Sequence, residues 1–162
     1  MSLTVADVMT RDVTTLDPNL SLTKMDQILL EAKIGAAPVI EDGELIGIVS
    51  RSDVIHLLAG EQQRAERVAG FYSSPFPIAI GALEHLARDS RDIADRMTKT
   101  RVRDIMTRDV ESLSPEDSVE AAARFMWGEG YHRVPVVSAG RLVGILSTMD
   151  LIRLIGERGL AP

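Results

Sequence analysis

Residues 47–53 read GIVSRSD and residues 144–150 read GILSTMD. Each writes Gly, two apolar residues, Ser, two variable positions and Asp. Each follows an apolar run with a glycine turn inside it, PVIEDGELI (38–46) and PVVSAGRLV (135–143). Working outward, a shift of 97 lays residues 5–58 over 102–155 without a gap, and about 20 of the 54 aligned pairs are identical. VADVMTRDVTTLDP (5–18) falls on VRDIMTRDVESLSP (102–115). A repeat this clear means two copies of one supersecondary unit. Neither copy is expected to bury its apolar face alone, so the two should pack on each other.

Each copy has a readable order. A short helix carries Val5 to Met9, and an extended piece runs from Asp12 to Leu16. An amphipathic helix over 21–33 puts Leu22, Met25, Ile28 and Leu29 on one face, with Ser21 as its N-cap. Ala37 to Ile40 reads as a buried strand with Pro38 near its start. Asp42-Gly43 suits a hairpin turn needing positive φ, and Leu45 to Val49 is the return strand. A second helix opens at Ser50. Copy two repeats this with helices near 118–129 and 148–156 and strands near 134–137 and 141–146. The expected fold class is α/β (α+β): two pseudo-symmetric β-α-β-β-α repeats packed as one module, with copy one at 1–58, a helical insert at 59–101 and copy two at 102–158. In the insert, residues 60–70 are polar and helical, FYSSPFP (71–77) breaks them, and 78–100 reads as one long helix. Its stripe of Ile80, Leu83, Leu86, Ile93 and Met97 either packs on the chain's own core or serves as an arm for dimerisation or a partner.

Composition excludes several functions. The 162 residues carry a formal net charge of −6, against a broad grip on nucleic acid or an anionic membrane. With no cysteine there are no disulfides, thiolate nucleophiles or cysteine metal sites. No apolar run approaches a membrane span and no signal-peptide pattern opens the chain, so the expected location is cytoplasmic. There is no Walker loop, no GxSxG elbow, no HExxH and no metal-ligand spacing. His56 and His85 read as structural, His132 is a weaker candidate than Arg133 for pairing with phosphate, and three widely separated histidines make no catalytic constellation. An enzyme, such as a nucleotide hydrolase, is therefore not expected. The basic run KTRVRDIMTR (99–108) is interrupted by Asp104 and reads as part of the junction between copies.

The twin motif has two physical readings. Gly47 and Gly144 lie inside strands, where glycine marks close approach by a ligand or another backbone. Ser50-x-x-Asp53 and Ser147-x-x-Asp150 each open a helix. Helix N-termini favour phosphate, a serine hydroxyl can add a hydrogen bond, and a carboxylate can grip two ribose hydroxyls. Ser-x-x-Asp is also a variant of the capping box. Both roles can coexist.

MTRDVTTLDP, a helix, APV, DG and GIVSRSD, followed by the whole order again, resembles a tandem pair of CBS (cystathionine-β-synthase) domains, a Bateman module. The likeness covers about two thirds of the chain, all of both copies. It implies a regulatory protein that binds an adenosine-containing ligand (AMP, ADP or ATP, with S-adenosylmethionine or NAD as further candidates) in the cleft between the copies, and that forms a homodimer. The ligand is then no catalytic cofactor. With no effector domain in the chain, output would pass to a regulated partner protein or through self-association. By resemblance, Asp53 and Asp150 hold the ribose, and Ser50 and Ser147 sit near phosphate. Ala37-Pro38 and Val134-Pro135 face the base, together with Thr15 and Ser112. Val39 and Val136 read as core. The insert is longer than the family's usual linker.

The two sites are unequal. Copy two has Tyr131-His132-Arg133 where copy one has Ile34-Gly35-Ala36, and Arg51 stands where copy two has Thr148. Arg133 and Arg51 are the phosphate candidates, since a guanidinium can bind phosphate bidentately. Phe125, Trp127 and Tyr131 could meet Phe71, Tyr72 and Phe76 of the insert, with core packing the default. The competing reading is a ligand-free interaction protein acting through the 59–101 arm, whose dimer would depend on Leu83, Leu86 and Ile93.

Overall fold

The computed structural model describes residues 3–59 and 90–159. Its elements run α1 (Val5–Val8), α2 (Leu22–Glu31), β1 (Ala36–Glu41), β2 (Glu44–Ser50), α3 (Arg51–Ala59), α4 (Ser90–Lys99), α5 (Val102–Ile105), α6 (Val119–Glu129), β3 (Arg133–Ser138), β4 (Arg141–Ser147) and α7 (Thr148–Arg158). The architecture is α+β, as the repeat implies. The first strand of each expected β-α-β-β-α copy is a single parallel bridge, Leu16 to Val39 and Leu113 to Val136. Of the helix expected over 78–100, only α4 lies within the described residues; Ile80, Leu83, Leu86, His85 and the segment 71–77 lie outside them.

Local chemistry sets these elements. Ser21 and Ser118 cap α2 and α6 by accepting from the N–H of Lys24 and Ala121. The face predicted for α2 is the buried one, with Leu22, Met25 and Leu29 sealed and Ile28 partly so. Burying each such side chain contributes roughly 1.5–3 kcal/mol. Both hairpins turn through positive φ, at Asp42 and Gly43 (52° and 85°) and at Ala139 and Gly140 (49° and 78°). Alanine, with only a methyl group, is disfavoured there by about 1–2 kcal/mol, whereas aspartate enters that region more readily.

The chain forms two compact units, and neither coincides with one copy. The copy-one unit comprises the described parts of 14–42 and 46–110; the copy-two unit comprises those of 1–13, 43–45 and 111–162. Each unit thus contains the opening of the other copy. In the copy-one unit, α5 is strapped to the loop before α2: Val102 N–H donates to the Leu20 carbonyl and Arg103 N–H to that of Pro18. Its core gathers Leu16, Leu22, Met25, Leu29, Ala37, Val39, Val49 and Val54 with Val102, Ile105 and Met106. Met97 of α4 packs against that core, and the Arg96 guanidinium donates to the Leu57 and Leu58 carbonyls at the end of α3. A cation is favourable there. In the copy-two unit, Val5 N–H donates to the Asp117 carbonyl and Ala6 N–H to that of Pro115. Val5, Val8 and Met9 are buried there, as are Val134, Val136 and Leu146.

The strand glycines admit these crossings. Thr10 and Ile145 exchange both backbone hydrogen bonds, at 2.9 and 2.8 Å, and Ile48 and Thr107 do the same at 2.9 Å each. A Cβ on Gly144 would stand 2.6 Å from the Met9 sulfur and 2.9 Å from the Thr10 carbonyl oxygen. On Gly47 it would stand 2.8 Å from the Met106 sulfur and 2.8 Å from the Thr107 carbonyl oxygen. Of the two causes the sequence allowed, close approach by another backbone is the one observed. The Gly144→Ala substitution is therefore expected to cost about 1–3 kcal/mol by overpacking, lowering the melting temperature by roughly 3–10 °C. Gly156→Ala is the control: a Cβ there meets nothing within 4 Å, and helix propensity predicts a small gain. Equal melting of the Gly144 variant and wild type would refute the crossing.

Candidate functional site

The repeated Ser-x-x-Asp folds the same way in both units. In the copy-one unit, the Asp53 carboxylate Oδ2 accepts from the Ser50 N–H at 2.7 Å and from the Ser50 hydroxyl at 2.8 Å, and Asp53 N–H donates back to Ser50 Oγ at 3.3 Å. In the copy-two unit, Asp150 Oδ2 accepts from the Ser147 N–H at 2.9 Å and the Ser147 hydroxyl at 2.6 Å, and Asp150 N–H returns to Ser147 Oγ at 3.3 Å. Ser50, Asp53 and Asp150 are all buried. Each box is a reciprocal cap that supports the helix after it by about 0.5–2 kcal/mol. A carboxylate can be buried here because donors satisfy it.

The helix N-termini are partly spent inside the protein. Arg51 N–H donates to the Gly35 carbonyl and Thr148 N–H to the His132 carbonyl, both at 2.9 Å. With Asp53 and Asp150 N–H also used, each of α3 and α7 has two of its first N–H groups satisfied. These bonds tie the start of β1 to α3 and the start of β3 to α7, so box and proline strand lie side by side in each unit. The third member comes with the parallel bridge. Leu16 N–H donates to the Pro38 carbonyl and Leu113 N–H to the Pro135 carbonyl, both at 2.9 Å. That brings the exposed Thr15 and Ser112 to the edge of the same strands.

Each unit therefore gathers one predicted set: Thr15, Ala37, Pro38, Ser50, Arg51 and Asp53 in one, and Ser112, Arg133, Val134, Pro135, Ser147 and Asp150 in the other. They are not equally available. Ala37 and Val134 side chains are fully buried, so a ligand could meet only their backbone. Strand alternation puts Arg133 and Pro135 on the face opposite Val134 and Val136. Arg133 stands directly across the ladder from Ser147, and Pro135 across from Ile145. That face holds the polar end of the copy-two box.

The two arginines differ. Arg51 Nε is paired with Asp26 Oδ1 at 2.8 Å on an open surface. The Arg133 guanidinium is partly buried, and among the described residues no hydrogen bond or ion pair holds it. Burial is the one cause that lowers its pKa, with no neighbouring charge contributing; the group keeps its charge at neutral pH. Two residues earlier in the chain, burial first and a hydrogen bond to Glu111 second push the Tyr131 phenol up to about 12. The Tyr131 ring meets Phe125 edge-on, with centroids 5.7 Å apart. Trp127, expected among these aromatics, is 89% exposed instead.

Two partners of Asp150 were not singled out in the sequence. Asp150 Oδ1 accepts from the Thr10 hydroxyl at 3.1 Å and from Arg153 at 3.3 Å. The same Arg153 nitrogen donates to the Val8 carbonyl at 3.0 Å. The signal for Thr10 was present: MTRD is identical in both copies. The basic run from Lys99 is engaged locally, with Lys99 on Asp95 and Arg103 on Glu41, each at 2.7 Å. Among the described residues no group of three His, Asp or Glu could hold a metal, and no helix is long and apolar enough to cross a membrane.

The fold and the doubled box together define a pair of CBS domains. The CBS domain family pattern matches residues 5–60 and 102–157, and the chain belongs to that family. A protein of Methanocaldococcus jannaschii is 29% identical over 154 residues; the match spans 94% of this chain but 43% of that longer protein. Among solved structures, the CBS domain of a CBS domain containing membrane protein from Sphaerobacter thermophilus is 30% identical with a TM-score of 0.64, covering 94% of this chain and 88% of that one. CBSX2, a CBS-pair protein of Arabidopsis thaliana, in complex with AMP is 25% identical with a TM-score of 0.64, covering 95% and 96%.

Proposed function

We propose that this chain is a regulatory module that binds adenosine nucleotides, with a site in each unit built on the Ser-x-x-Asp box and the proline strand beside it. Arg133 carries the reading. A partly buried guanidinium with no partner among the described residues is costly, and a phosphate would supply short, charge-assisted hydrogen bonds. Its place across from Ser147 puts that phosphate next to the box. The AMP bound by a relative of the same fold supports an adenosine ligand.

The box also supplies a regulatory coupling. A carboxylate offers about four lone-pair positions. Those of Asp150 are taken by the Ser147 N–H and hydroxyl, Thr10 and Arg153. A ribose hydroxyl that reaches Oδ1 must displace Arg153 or Thr10. Both hold the segment from α1 to Thr10, so ligand and opening segment compete for one oxygen. A ligand shifts a conformational equilibrium only through such differential contacts. Its output is thus a looser hold on residues 5–10.

A thermal-shift series with AMP, ADP, ATP, S-adenosylmethionine and NAD tests the reading. A ligand at 100 times its Kd should add about 2.7 kcal/mol, a rise of roughly 5–10 °C. Asp150→Asn keeps one oxygen for the cap and turns the other into a donor, so it should fold and lose much of the shift. No shift with any ligand would reduce the box to a cap and leave the interaction-protein reading standing. Self-association has its own surface: α7 exposes Met149, Ile152 and Ile155, spaced three apart along one face. In sedimentation the wild type is expected as a dimer and Ile152→Lys as a monomer; identical mass for both would remove α7 from the interface.

A further inference from the structure

We propose that the two units accept adenosine ligands of different charge: the copy-two unit takes a phosphorylated nucleotide, and the copy-one unit takes an adenosine derivative without phosphate. This rests on the adenosine reading above and refines it. The backbone around the two boxes is matched bond for bond, from the Ser–Asp reciprocal cap to the N–H of Arg51 on Gly35 and of Thr148 on His132. Selectivity must therefore come from the side chains that differ.

Three differences point the same way. First, the residue that enters the strand is Arg133 in copy two and Ala36 in copy one, and Ala36 is buried with only a methyl group to offer. Second, Arg133 carries a charge that nothing among the described residues neutralises, whereas the cation at the copy-one box, Arg51, is already on Asp26 at 2.8 Å. Third, Asp26 itself has no acidic counterpart: 97 residues on stands Ala123. A surface ion pair is weak enough for a phosphate to break. Doing so at Arg51 would leave the Asp26 carboxylate unpaired and close to the phosphate, whereas the acidic neighbour in copy two, Glu111, is already engaged by the Tyr131 phenol. The residues preceding the strand follow suit, Ile34-Gly35 against Tyr131-His132. Copy two thus presents a cation that no described residue pairs with, and copy one presents a neutral pair and apolar groups.

Calorimetric titration of the full chain with AMP and with adenosine tests this, because the two ligands share every group except the phosphate. The wild type should bind one AMP tightly. Arg133→Met should lower the ratio of AMP to adenosine affinity by about tenfold to hundredfold, the usual loss with a charged hydrogen bond. Asp26→Ala releases Arg51, and Ala36→Arg copies the other unit; each should add a second, tight AMP site. Two equal AMP sites in the wild type, or an affinity ratio unmoved by Arg133→Met while both ligands still bind, would overturn the assignment and leave the adenosine reading intact. Binding of neither ligand would overturn that reading and this assignment with it.

Discussion

The structure depends on a backbone crossing that leaves no room for a side chain. In each unit a Met-Thr segment passes over a strand at a glycine and exchanges two hydrogen bonds with the next residue. Close approach of this kind requires glycine, because an added Cβ would meet a backbone oxygen that cannot move aside. From it follows the division of the chain: the opening of each copy completes the unit built around the other. Duplication and packing are thereby linked. A change in MTRD at 9–12 is felt at the box of copy two, since Thr10 reaches Asp150.

That link gives the box its chemistry. A Ser-Asp cap alone would be local structure, worth about 1 kcal/mol. In the copy-two unit the same carboxylate also holds a hydroxyl and a guanidinium that bear on the opening segment. Its oxygen is a shared resource, and sharing is what allows a bound ligand to bias conformation. On the proposed reading, the unequal arginines would set which ligand does so. Arg133 is partly buried with no hydrogen bond or ion pair among the described residues, while Arg51 is held by Asp26.

Much of this was legible in the sequence because the repeat supplied its own control. Apart from the first strand of each copy, which is a single bridge, the strand and helix limits within the copies came within a residue or two, the α2 face was right, and Asp42-Gly43 announced its turn. Ser-x-x-Asp could be read as cap or contact, and the cap geometry is present in both units. Three things were hidden. The exchange of opening segments is a matter of long-range topology, which periodicity does not encode. The pairing of Arg51 with Asp26 joins residues 25 apart and needs α2 and α3 in place. The exposure of Trp127 ran against the default for an aromatic residue, which packs inside far more often than it stands at 89% exposure. Gly47 and Gly144 lie between these cases: close approach was foreseen, but whether to ligand or to chain was not.

The most direct measurement is a crystal structure of the protein with AMP. The account predicts the phosphate within hydrogen-bond reach of the Arg133 guanidinium and a ribose hydroxyl on Asp150 Oδ1, with Thr10 or Arg153 displaced from that oxygen. AMP bound with its phosphate on Arg51, or away from both boxes with the Thr10 and Arg153 contacts to Asp150 intact, would contradict it.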